Sequence, residues 1–75
     1  MLLNVLTYLI KNIVKNPDSV QITEDKFPYA SVFRIKLDQA DIGTVIGKRG
    51  HTIEAIRTIM NAISGDKKIS IDLDT

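Results

Sequence analysis

The chain reads as an α+β domain in the order helix, strand, strand, helix, helix, strand, and three observations predict that class. Apolar residues recur at helical spacing over residues 2–14 and again over 52–63. Apolar and polar residues instead alternate at period two over 20–23, 29–37 and 69–74, which is the pattern of half-buried strands. Finally, 75 residues at 44% hydrophobic and 25% charged suffice for one small core and leave no room for a second. A single domain over 1–75 is expected.

The first helix follows from the wheel. At 100° per residue, Leu2, Leu3, Val5, Leu6, Leu9, Ile10, Ile13 and Val14 share one half, and Asn4, Thr7, Lys11, Asn12 and Lys15 fill the other. Asn16-Pro17 ends it, because proline disfavours α geometry in the residue before it. Val20 and Ile22 alternate with Ser19, Gln21 and Thr23 as a short strand, and Glu24-Asp25-Lys26-Phe27-Pro28 is expected to form the turn. The longest strand is predicted over Tyr29 to Leu37, with Phe33, Ile35 and Leu37 inward and Arg34 and Lys36 outward. Asp38 suits an N-cap and Asp41 a first-turn acid of a short helix through Ile46. As a pair these carboxylates are explained by helix electrostatics rather than catalysis. Gly47-Lys48-Arg49-Gly50 breaks that helix. The next one, Thr52 to Ile63, is predicted to bury Ile53, Ile56, Met60 and Ile63 and to stop at Ser64-Gly65. Ile69, Ile71 and Leu73 form the last strand.

Composition excludes several classes. Without cysteine there is no disulfide framework or thiolate metal site, and a single histidine cannot build a zinc site. No base-nucleophile pairing surrounds that histidine, so an enzyme is not expected, nor a metal or other cofactor. The apolar run from Met1 to Val14 is broken by Asn4, Thr7, Lys11 and Asn12, lacks a following small-residue cleavage pattern, and is shorter than the ~20 residues of a bilayer span. A soluble, unexported chain with no membrane partner is expected. The net charge of +1 is uninformative as a total. Its distribution is not: between Gly43 and Ile53 there are two cations, Lys48 and Arg49, and no acid, so that window is +2 and the remainder −1.

That window carries the chemistry. Two glycines bracket two bases where one helix ends and another begins, and the unpaired N–H groups of the second helix face the loop. Such a loop suits a sugar-phosphate backbone. Ile42, Val45 and Ile46 on the preceding helix offer an apolar wall against which bases can lie, so the pattern points to single-stranded nucleic acid.

Val45-Ile46-Gly47-Lys48-Arg49-Gly50-His51-Thr52-Ile53 resembles the V-I-G-x-x-G-x-x-I signature of KH domains, whose GxxG loop clamps about four nucleotides. With a helix and strand placed before the core, the order resembles the type II KH fold. Over nearly its whole length, including Asp41 to Gly50 and Ala55-Ile56-Arg57-Thr58-Ile59, the chain is similar to the bacterial single-KH-domain proteins of the KhpA family. The resemblance implies a three-stranded mixed sheet with three helices on one face, a KH core at about 29–73 and an N-terminal helix and strand within 2–24. It implies a cytoplasmic single-stranded RNA-binding protein acting as an RNA chaperone or post-transcriptional regulator. More loosely, it implies links to cell shape, cell wall biogenesis and envelope homeostasis, and a larger multidomain KH protein of the Jag type as heterodimer partner. Residue by residue, it places the backbone clamp on Gly47, Lys48, Arg49 and Gly50. The groove falls on Ile42, Gly43, Val45 and Ile46, with an opposite wall of Lys67, Lys68, Ile69, Ser70 and Ile71.

Other readings compete. A P-loop fails because Gly43-x-x-x-Gly47-Lys48-Arg49 is one residue short and puts arginine where a hydroxyl is required. A helix-turn-helix reader does not suit three strands, and the second helix carries Ile and Ala where base-contacting polar groups are needed. His51 and Thr52 stand where a phosphate would be met, the alternative for His51 being a solvated loop-end residue. Thr52, Ala55, Ile59 and Ala62 form a second stripe on the last helix. It marks either packing against the first helix or a homodimer interface, which would set two loops in one particle. The alternative to RNA binding is a protein-interaction or dimerisation module in which GxxG is only a turn.

Overall fold

The structure is a computed structural model and describes residues 2–74. Its elements are α1 (Leu2–Ile13), β1 (Gln21–Phe27), β2 (Ala30–Lys36), α2 (Gln39–Ile46), α3 (His51–Ser64) and β3 (Lys68–Asp74). Short 3-10 turns lie at Pro17–Ser19 and Lys48–Gly50. The sheet order is β1-β2-β3, with β1 antiparallel and β3 parallel to β2. Parallel pairing requires a crossover, and α2, the GxxG turn and α3 supply it. This α+β arrangement is the expected one.

Alternation sorts the two sheet faces. Phe33, Ile35, Ile69 and Ile71 point to the helices and are buried with Leu6 and Ile10 of α1, Val45 of α2 and Ile53, Ile56 and Met60 of α3. The opposite face carries Arg34, Lys36, Lys68, Asp72 and Asp74, all exposed, and no described helix covers it. Arg34 there lies 3.5 Å from Asp25 across the antiparallel pair, an exposed contact of small energetic weight.

The structure corrects three local expectations. Residues 24–27 belong to β1, not to the turn: Glu24 pairs with Phe33 and Phe27 with Ala30, so the turn is Pro28-Tyr29. The charges are tolerated because β1 is an edge strand, and Glu24 accepts a hydrogen bond from Ser31 Oγ at 3.2 Å. The extension also makes β1 as long as β2, at seven residues. Ile63 is not core but 44% exposed. Ile56, at nearly the same angle two turns earlier, is buried, so the cause is axial: Ile63 lies in the last turn, beyond the cover that Ile56 receives.

Asp38 caps α2 as expected, its carboxylate accepting the Ala40 N–H at 2.9 Å. Asp41 is the first-turn acid expected, and it does more: it is a buried latch between α2 and the end of α1. Its oxygens accept from the backbone N–H groups of Lys15 and Asn16, both at 3.0 Å, and from Asn16 Nδ2 at 3.1 Å. The Lys15 N–H, followed by the Asn16 amide and N–H, holds its pKa below the ordinary 3.8, against the opposing effect of burial. A depressed carboxylate adds stability that is full above the unfolded-state value and is lost as pH falls through the folded one. Asp41→Asn presents an NH2 where N–H donors converge. The variant is expected to melt several degrees lower at pH 7, with the gap to the parent closing below about pH 4. Thermal melts across pH 2–7 check this, and parallel curves would refute the assignment.

Candidate nucleic-acid interface

The Gly47–Gly50 turn is built from backbone conformations that side chains rarely adopt. Gly47 has φ 77°, and a Cβ there would fall on Thr52 Oγ1, 2.6 Å from Thr52 Cβ and 2.8 Å from its backbone nitrogen. Glycine is needed here for space as well as for dihedral. Arg49, at φ 57° and ψ 26°, is the single non-glycine residue with positive φ among those described. A left-handed arginine costs of order 1 kcal/mol, and strain of this kind concentrates at functional sites. Gly50, also left-handed at φ 76°, caps α3 without a side chain.

Backbone hydrogen bonds hold the turn. The Gly47 N–H donates to the Gly43 carbonyl at 2.9 Å, the Gly50 N–H to Gly47 at 3.1 Å, and the His51 N–H to Lys48. Lys48 and Arg49 are exposed and belong to no ion pair among the described residues. Two free cations therefore stand beside the positive end of a 14-residue helix. His51 is exposed at the first position of that helix. Thr52 is half-buried with its hydroxyl against Gly47, so it supports the turn rather than extending the outer stripe of α3.

On α2, Ile42 and Ile46 are half-buried and offer surface, and nothing lies within 4 Å of a Cβ built on Gly43. Val45 is completely buried in the core, so it backs the wall rather than lining it. Its inward direction follows from the helix: it stands four positions after Asp41, which faces the same way.

The β3 wall is more specific than its sequence suggests. Ile69 and Ile71 bury their side chains, leaving main-chain groups on the outer edge of the sheet. Two of these are occupied from α3. Asn61 Oδ1 accepts the Ile69 N–H at 3.2 Å, and Arg57 Nη2 donates to the Ile71 carbonyl at 2.9 Å. The Asn61 amide is oriented by its own bond to the Arg57 carbonyl, and the guanidinium by Glu54. The Ile69 carbonyl and the Ile71 N–H on that edge are taken by no side chain among the described residues. Sequence reasoning missed Arg57 and Asn61. Their trace was a polar pair at i, i+4 on a helix otherwise read for its apolar stripes. Because Arg57 meets Ile71, Asn61 meets Ile69 and Ser64 Oγ meets the Lys67 carbonyl at 2.7 Å, β3 runs antiparallel to α3. Lys67 and Lys68 thus lie at the far end of α3 from the GxxG turn. Asp72 and Asp74 lie nearer to it and line, with Arg34 and Leu73, a concavity whose acids do not suit phosphate.

A family model described as KhpA/KhpB, KH domain matches residues 4–74. The chain belongs to the KhpA/KhpB KH-domain family. Its relatives include the RNA-binding protein KhpA of Leifsonia xyli subsp. xyli, 33% identical over 97% of this chain and 96% of the relative. The protein of that name from Streptomyces coelicolor is 38% identical over 97% and 91%, and that from Streptococcus pneumoniae serotype 4 is 36% identical over 95% and 91%. This is a non-enzymatic family. In this KhpA/KhpB domain Ala55, Ile59 and Ala62 are exposed, Ile59 at 43%. Although α1 packs on α3, it leaves that stripe uncovered. No described helix is long and apolar enough to cross a membrane.

Proposed function

We propose that the chain binds single-stranded RNA, about four nucleotides at a time. Gly47, Lys48, Arg49 and Gly50 clamp the backbone, and bases lie along Ile42, Gly43 and Ile46 toward the β3 edge. One observation carries this reading: a strained turn, with both cations free and exposed, sits against a helix N-terminus and beside the open flank of Gly43. His51, at the helix start, is a further phosphate contact. The Ile69 carbonyl and Ile71 N–H left free among the described residues provide the opposite wall, with Lys67 and Lys68 at its far end, while the Ser70 backbone between them faces β2. The names of the relatives support RNA as the ligand. With so few cations, binding is weak and the plot of log K against log salt is shallow, with a slope of about −1 to −3 per protomer. Anisotropy of a labelled single-stranded RNA between 20 and about 200 mM salt tests this; no binding at the lowest salt overturns it.

By resemblance, the protein acts in the cytoplasm as an RNA chaperone or post-transcriptional regulator linked to cell shape and envelope homeostasis. A homodimer through Ala55, Ile59 and Ala62 is the second part of the proposal, the same face being available to a larger KH protein of the Jag type. Its support is the uncovered stripe of small residues around Ile59, into which a second helix can pack closely. Ile59→Asp is then expected to halve the mass seen by light scattering while melting normally. An unchanged mass would sink the dimer.

A further inference from the structure

The hairpin between β1 and β2 presents two aromatic side chains that the fold does not use: Phe27 is 54% and Tyr29 88% exposed. Register gives them company. Phe27 pairs with Ala30 and Ala30 with Lys68, so an aromatic ring, a small residue and a cation form one row at the end of the helix-free sheet face. The Lys68 N–H donates to the Tyr29 carbonyl at 3.1 Å, tying the turn to the start of β3. Lys26 and Lys67 flank the row in sequence. Of the nearby acids, Asp25 faces Arg34, while Glu24, hydrogen-bonded to Ser31 but still charged, and Asp66 stand against three lysines, an excess of one cation. Two solvent-facing rings beside a small excess of cations fit the faces of bases and their phosphates.

We propose that Phe27, Tyr29 and Lys68 form a second contact for single-stranded RNA, a stacking platform separate from the GxxG clamp. It rests on the RNA reading above and extends it. The two sites lie at opposite ends of α3, whose 14 residues span about 21 Å at 1.5 Å per residue. At 3.4 Å per stacked nucleotide that is about six nucleotides, so a strand of about ten reaches both sites and a strand of four reaches one. The polar edge of β3 lies between them.

The chain has two tyrosines and no tryptophan, so Tyr8→Phe leaves Tyr29 as the sole fluorophore. Unlabelled ten-nucleotide oligoadenylate is expected to quench Tyr29 emission, corrected against free tyrosinamide for absorption. Phe27→Ala with Tyr29→Ser is expected to weaken binding of the ten-mer about 5- to 100-fold and of a four-mer less than about twofold, with an unchanged melt because both side chains are exposed. Quenching that depends on Lys48 and Arg49 supports platform and clamp together. Quenching that survives Lys48→Asp with Arg49→Asp supports the platform and overturns the clamp. Unchanged Tyr29 emission at saturation, with binding still lost in the Lys48→Asp/Arg49→Asp chain, overturns the platform and leaves the clamp standing. A change in light-scattering mass on Phe27→Ala/Tyr29→Ser without any change in ten-mer affinity assigns the pair to self-association and also overturns it.

Discussion

A chain carrying Lys48→Asp and Arg49→Asp is expected to keep the parent's circular dichroism and melting temperature while its affinity for a short single-stranded RNA falls at least about 100-fold. The fold is spared because both side chains are exposed and neither takes part in an ion pair among the described residues. The hydrogen bonds that shape the turn belong to the backbones of Gly43, Gly47, Lys48, Gly50 and His51, which the substitutions leave in place. Aspartate at 49 also tolerates the left-handed conformation comparatively well. Binding is lost because each charged hydrogen bond to phosphate contributes about 1.5–3 kcal/mol, and two of them are replaced by repulsion. At about 1.4 kcal/mol per decade, that is two to four orders of magnitude. The assay is fluorescence anisotropy at low salt, with the melt run on the same preparation. Undiminished binding would show that the loop is not the clamp.

Gly47→Ala is expected to have the largest effect on stability of any conservative change in the loop, about 2–5 kcal/mol. Two costs combine. A left-handed alanine costs roughly 1–2 kcal/mol, and forcing a methyl group into packed surroundings roughly 1–3. For a domain of this size the melting temperature falls by about 8 °C or more, at about 4–8 °C per kcal/mol. Thr52→Ala in the same chain rescues only part of this, because Thr52 Cβ and its backbone nitrogen remain within 3 Å of the new methyl. Gly43→Ala is the contrast: its Cβ meets open space inside a regular helix, so stability is unchanged or rises by up to about 1 kcal/mol. If a base lies over Gly43, that variant binds RNA less well while being no less stable. Equal melting of the Gly47→Ala and Gly43→Ala chains would refute the steric account.

What could be read from the residues was what is local. The stripe of α1, the cap at Asp38, the stop at Gly65 and the GxxG turn each depend on neighbours within a few positions, and each lies where it was expected. The candidate clamp was legible for the same reason. The second half of β1 was not, because Glu24, Asp25 and Lys26 look like a loop until the edge position of β1 allows them to face water or find Ser31. Asp41 was legible as a first-turn acid but not as a latch, because the groups it serves, on Lys15 and Asn16, lie 26 and 25 residues away. Arg57 and Asn61 were invisible because their partners are main-chain atoms of another element, which carry no sequence signal.

The parallel pairing of β2 with β3 bears on how the domain comes into being. Ala30 meets Lys68 and Lys36 meets Asp74, a separation of 38 residues in each case, so the sheet is completed by the last described element. Ile69 and Ile71 arrive only with that strand, and the α2-α3 crossover has no edge to close on before it docks. Such a long-range closure is slow relative to hairpin or helix formation and makes assembly all-or-none. In chain order the hairpin and first helix precede β3, so the GxxG turn and the outer edge of β3 are brought into one rigid body only when that strand docks.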